Sequence, residues 1–134
     1  MTYALAYVAT ALAFLVLDFI WLGYVAKPLY QQEIGPLLLE KFNVGAAIGF
    51  YLIFIAGVVI FAVAPALQGG TWKTALLYGA MFGFFAYATY DMTNLATLQG
   101  WSPTVTVVDI AWGTFLTGTA AVAGYCATRT LAGA

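Results

Sequence analysis

The length of the uninterrupted apolar runs limits this chain more than any other feature. Tyr3 to Val25 carries Asp18 as its only charge, and Val44 to Ala66 carries none. Trp72 to Leu98 carries Lys73 at its start and Asp91 late, and Thr104 to Thr128 carries Asp109 early. Each run is about 20 residues or more, enough at roughly 1.5 Å per residue to cross a hydrocarbon core of about 30 Å. The runs are continuous and not alternating, and in lipid only helices or closed barrels satisfy their own backbone groups. The expected fold class is therefore all-α: an integral membrane four-helix bundle in a single transmembrane domain over 1–134. Its helices are expected at about 3–25, 44–66, 72–98 and 104–128. Leu67-Gln68-Gly69-Gly70 and Gln99-Gly100-Trp101-Ser102-Pro103 read as turns between them.

Composition removes the alternatives. With 7% charged, 64% hydrophobic and 17% aromatic residues, the chain is too poor in charge for a water-facing surface. It is also too aromatic for disorder. A net charge of -1 with 4 basic residues forms no basic patch, so no nucleic acid is expected as a partner. His is absent and Cys126 is the only cysteine. Histidine-ligated haem, ordinary zinc sites, a Ser-His-Asp triad and an internal disulfide are excluded. No metal and no cofactor is expected. The N-terminal run lacks a basic flank and a small-residue cleavage site, so it reads as a retained helix.

The segment 26–43 holds Lys27, Glu33, Glu40 and Lys41 with Pro28 and Pro36. Leu29, Tyr30, Ile34, Leu37 and Leu38 are interspersed with polar residues. The pattern predicts an interfacial half-helix on the membrane surface, broken at Gly35-Pro36. An extended loop is the alternative. Gly45/Gly49 and Gly79/Gly83 are GxxxG spacings that let helix backbones approach, within the chain or in a homodimer. Lys73 and Arg129 on the terminal side balance Lys27 and Lys41 on the other. The α-amine tips the count toward cytoplasmic termini.

The placement of the acids is the main pointer to function. In an up-down bundle Asp18 lies toward the exit of helix one, Asp91 toward the exit of helix three and Asp109 near the entry of helix four. All three fall at a similar depth, beside the 26–43 and 99–103 connections. An Asp at a helix centre costs about 2.5–3.5 kcal/mol on insertion, and no basic residue lies beside them in the runs. They are expected to be protonated, bridged by hydrogen bonds or neutralised by a bound cation. Trp21 follows Asp18 by three residues, and Trp112 follows Asp109 by three. Tyr87, Asp91 and Asn94 form one helical stripe, and Tyr51 lies at comparable depth on helix two. Indole, phenol and amide donors satisfy carboxylates. The expected ligand-binding set is Asp18, Trp21, Tyr51, Tyr87, Asp91, Asn94, Asp109 and Trp112. It forms an aromatic, acidic pocket suited to a proton, a cation or an amine.

Plainer roles compete for each residue. Asp18 also suits a structural bond to a Trp or a neighbouring helix. Asp91 would sit at the interface if helix three stopped there. Asp109 would complement the start of helix four through the helix dipole. Trp72 and Trp101 read as interfacial belt residues.

The stretches Asp18-Phe19-Ile20-Trp21-Leu22-Gly23, Ile34-Gly35-Pro36-Leu37, Phe84 to Thr97 and Asp109-Ile110-Ala111-Trp112-Gly113-Thr114 resemble a family of predicted bacterial inner-membrane proteins, domain of unknown function 2177. The resemblance covers nearly the whole chain, and Tyr90-Asp91-Met92-Thr93-Asn94 is its most specific part. It implies a multi-helix topology in the inner membrane and no defined activity. The residues themselves point first to binding or transport of a proton, cation or small amphipathic ligand. Transport by so small a chain would need a homodimer. The alternatives are an accessory subunit with a membrane-complex partner and a lipid-modifying membrane enzyme with an Asp as general acid/base.

Overall fold

The computed structural model describes residues 2–39, 41 and 43–133. Four helical rods carry them: α1 (Thr2–Leu37), α2 (Val44–Leu67), α3 (Trp72–Thr97) and α4 (Pro103–Ala132). No strand occurs among the described residues. Local chemistry sets the helix starts. Asn43 accepts a hydrogen bond from the Ala46 amide, and Ser102 accepts one from Val105, each serving as N-cap. Thr71 and Thr74 exchange the two bonds of a capping box around the start of α3. Gly69 and Gly100 take positive φ in the two short turns.

Three rods, α1, α2 and α4, are both long and apolar enough to cross a membrane. At 26 residues α3 is long enough, but it is less apolar because it holds Lys73, Asp91 and a run of threonines. Those threonines hide their polarity. Thr89, Thr93 and Thr97 each return a hydroxyl hydrogen to the carbonyl four residues back, on Phe85, Thr89 and Thr93. This spares hydrocarbon an unsatisfied donor.

The segment expected as a separate half-helix continues α1 instead. The rod widens to a π-helical turn at Trp21–Ala26, resumes as α-helix over Lys27–Ile34, and ends in a 3-10 turn at Gly35–Leu37. Pro28 is the cause. A proline inside a helix lacks an N–H and clashes with the carbonyl four residues back, here that of Tyr24. Widening of the turn relieves the clash and lets the helix pass. The same device recurs in α2, where a π turn at Val59–Val63 precedes Pro65.

Packing is tightest between α3 and α4, then between α1 and α4. A Cβ on Gly79 would stand 2.7 Å from the Ala121 methyl and 2.9 Å from the Thr117 carbonyl oxygen. A Cβ on Gly83 would run into the Gly113 carbonyl and Thr117, and one on Gly124 into Thr10. Glycine here permits backbone contact where lipid supplies no hydrophobic drive between helices. The Gly79/Gly83 pair thus serves the seam within the chain. Gly49 has nothing within 4 Å of its Cβ position. Around the seam lies the apolar core, with Phe14, Ile55, Val58, Val63 and Leu116 buried. The α2 backbone lies close to α3 mainly through Val59–Val63, and Val44–Val58 stands further off, bridged to α3 by Phe54, whose ring stacks on Phe82 at 5.2 Å. The bundle is closed at one end and parted at the other.

Gly83→Leu is expected to destabilise the protein by about 1–3 kcal/mol, the range for overpacked cores. Gly49→Leu is expected to stay within about 0.5 kcal/mol. Unfolding midpoints in one detergent compare the two. Equal effects would contradict the assignment of the seam.

Candidate functional site

The parted end holds the acids. α4 enters there with Asp109 and Trp112 on its inner side. The stripe of α3 that packs at Gly79 and Gly83 continues at four-residue spacing to Tyr87 and Asp91. Gly113 lets the Tyr87 ring lie directly on α4, since a Cβ there would run into that ring. From α1 come Asp18 and Trp21. Twelve residues of regular helix would turn Tyr30 roughly 120° away from Asp18. The wider turn at Trp21–Ala26 takes up part of that rotation, and Tyr30 and Ile34 face the same space.

The result is one cavity of about 310 Å³, open on one side, with Asp18, Asp91 and Asp109 in its wall. Asp18 is bonded at both oxygens: Tyr51 donates its hydroxyl to Oδ2, and Trp112 donates Nε1–H to Oδ1 at 3.1 Å. Asp109 accepts the Tyr30 hydroxyl hydrogen at 2.7 Å. Asp91 is fully buried, and neither of its carboxyl oxygens has a partner. The buried Nε1–H of Trp21 has none either. Trp21 and Trp112 stack face to face, 4.5 Å between centroids and 6° from parallel. Among the described residues no basic side chain lines the cavity.

Of the eight residues expected from sequence, seven line this cavity: Asp18, Trp21, Tyr51, Tyr87, Asp91, Asp109 and Trp112. Asn94 does not. It shares the face of Asp91 but lies a turn nearer the end of α3. Asp109 does not act as a cap, because Ser102 fills that position and Asp109 lies well inside α4. Asp91 is not at a helix end, since α3 runs on to Thr97. Trp72 is half exposed, with the Lys73 ammonium over its ring, as a belt residue would be. Trp101 is half-buried and turned toward the site. It lines the cavity, sits edge-on to Tyr90 at 5.7 Å and donates its indole hydrogen to Thr106.

Three lining aromatics lie outside the set expected from sequence: Tyr30, Tyr90 and Trp101. Two of them belong to a clasp over the site. Tyr30 reaches Asp109, and one turn on Glu33 accepts the Ser102 hydroxyl hydrogen at 2.8 Å. The extension of α1 is thereby tied to the start of α4, with Trp101 beside the tie. Ile34, Leu37 and Leu38 complete an apolar wall. The available signal for Tyr30 is its spacing: it precedes Ile34 by four residues in a segment that also carries Glu33.

The profile of the family described as predicted membrane protein, DUF2177, matches residues 3–126. The chain belongs to this family. No curated protein and no solved structure matches it. Membership carries the membrane character of the chain and defines no activity, which leaves the chemistry of the cavity to indicate one.

The Tyr51–Asp18 bond is expected to couple the two residues energetically. Tyr51→Phe removes a donor from a buried carboxyl, a change that costs about 1–3 kcal/mol. In a double-mutant cycle with Asp18→Asn, the interaction energy is expected to exceed about 0.5 kcal/mol. Additive unfolding free energies would show that the bond contributes nothing.

Proposed function

We propose that this cavity binds a cation, either a proton or an organic ammonium, and that the protein serves as a small membrane binding or transport protein. The unpartnered carboxyl of Asp91 carries the reading. Tyr51, Trp112 and Tyr30 direct their hydrogens to Asp18 and Asp109. A buried polar group without a partner is costly, so Asp91 is satisfied by a bound proton, shared with the neighbouring Asp109 carboxyl, or by the N–H of a ligand. The aromatic faces of Trp21, Trp112, Tyr87 and Tyr90 supply further attraction for a cation. The unpartnered Nε1–H of Trp21 offers a donor to any acceptor on the same ligand.

The wider setting is part of the proposal. The chain acts as a single domain in a bacterial inner membrane, with cytoplasmic termini on the lysine and α-amine balance. Net transport would use a second copy to complete a pathway.

Two outcomes are expected. Ethylammonium added to the protein in weakly buffered detergent should release protons, because the acids have no basic partner to keep all three ionised. Asp91→Asn should suppress that release. No release from the unaltered protein, or equal release from the variant, would sink the reading. Asp91→Leu should raise the stability of the empty protein by about 1–3 kcal/mol, since it removes a buried group with no partner. A lowered unfolding midpoint would show that Asp91 is already satisfied within the fold.

A further inference from the structure

A second space adjoins the cavity, and its chemistry differs from that of the first. Between α2 and α3 lies a groove of about 310 Å³ lined by Phe50, Phe54, Ala86, Tyr87, Tyr90 and Asp109. Tyr87, Tyr90 and Asp109 also line the acidic cavity, so the two spaces share a wall. Phe50 is half exposed and Phe54 is buried. The groove exists because Val44–Val58 stands away from α3 while Val59–Val63 packs on it. Its flanks are aromatic and apolar, and the charged group in its lining is Asp109. It opens sideways, along the length of two membrane helices.

We propose that the ligand is an amphipathic monoamine that enters from the bilayer through this groove. Its ammonium would lie among Asp18, Asp91 and Asp109, and its hydrocarbon tail between Phe50, Phe54 and Ala86. The proposal rests on the cation-binding reading and adds the ligand class and the route.

Charge complementarity selects the head. Three carboxyls, with no basic residue lining the cavity among the described residues, favour a cation and repel a phosphate-bearing lipid head. An N–H-bearing cation satisfies Asp91, which a quaternary ammonium cannot do by hydrogen bonding. Among the described residues no group of three or more His, Cys, Asp or Glu is spaced to hold a metal ion. The groove selects the tail. An alkyl chain exchanges lipid for contact with two phenylalanines and stays out of water while its head reaches the acids, with no polar group to desolvate except Asp109. A hydrophilic cation has no reason to take this path.

The test uses the full chain in phosphatidylcholine nanodiscs with ethylammonium and octylammonium as probes. Trp21, Trp101 and Trp112 line the cavity, so tryptophan emission reports occupancy. Partition into protein-free discs is subtracted. Counted from its concentration in water, octylammonium should bind at least about tenfold more tightly than ethylammonium, from the added methylenes. Ala86→Phe, which fills the groove, should remove most of that gain and leave ethylammonium binding within about twofold. Phe50→Ala, at a half-exposed position outside the buried core, should reduce the gain several-fold.

A chain-length gain that survives both variants, or no gain with ethylammonium still bound through Asp91, would overturn the lateral route alone. Ethylammonium that does not bind, or binds equally to Asp91→Asn, would overturn the cation-binding reading beneath it.

Discussion

The contact between α3 and α4 is the interaction on which the rest depends. Gly79 and Gly83 bring the α3 backbone against Thr117, Gly113 and Ala121. A bilayer gives helices no hydrophobic reason to associate, so this close fit supplies the attraction by dispersion between well-packed atoms. It also sets a register. The four-residue spacing that places two glycines in the seam places Tyr87 over Gly113 and Asp91 one turn further. The acidic layer is thus an extension of the packing ridge.

The two ends of that ridge behave differently because their side chains differ in size. Glycine and alanine close the bundle toward the α2–α3 turn. Tyr87, Tyr90, Trp101 and Trp112 hold the helices apart at the other end, and the first half of α2 is parted from α3. What remains between the rods is space lined by whatever the ridges carry there. The extension of α1 roofs it, tied by Tyr30 to Asp109 and by Glu33 to Ser102. The proline that would have ended α1 instead widens one turn, and that turn aims Tyr30 inward.

Much of this is legible in the sequence, and the reasons for the rest are physical. The four apolar runs give the rods, and the positions of Asp18, Asp91 and Asp109 along them give a shared layer. The Asp-x-x-Trp spacing foreshadows Trp112 in the cavity. It does not reveal that Trp112 bonds Asp18 on another helix and leaves Asp109 to Tyr30. Periodicity assigns residues to a face of one helix and is silent on which rod that face meets. It also fixes no depth, which is why Asn94 shares the stripe of Asp91 and misses the cavity. Pro28 reads as a helix end when only the lost hydrogen bond is counted. The compensating π turn depends on the tertiary tie to α4, which no local window contains. Trp101 reads as a belt residue for the same reason, because its turn is drawn over the site by contacts from a distant helix.

The distribution of hydrogen bonds separates scaffold from site. Much of the structural polarity is answered internally: the hydroxyls of Thr89, Thr97 and Thr128 return to their own helices, and caps serve the helix starts, while the buried Thr10 and Thr117 hydroxyls stay without a partner. Two of the three intramembrane acids are answered in the same way, from other helices. These bonds hold α1, α2 and α4 around the cavity, and they keep Asp18 and Asp109 in place whether or not a ligand is present. Asp91 receives no hydrogen bond from the tyrosines and tryptophans that crowd the same space. Thr10, Trp21 and Thr117 each keep a lone buried polar atom as well, but among the described residues Asp91 is the one acid left without a partner, a point at which stability is spent. That point lies on a rod of the tightest seam in the fold, beside a lateral groove whose mouth carries a carboxyl.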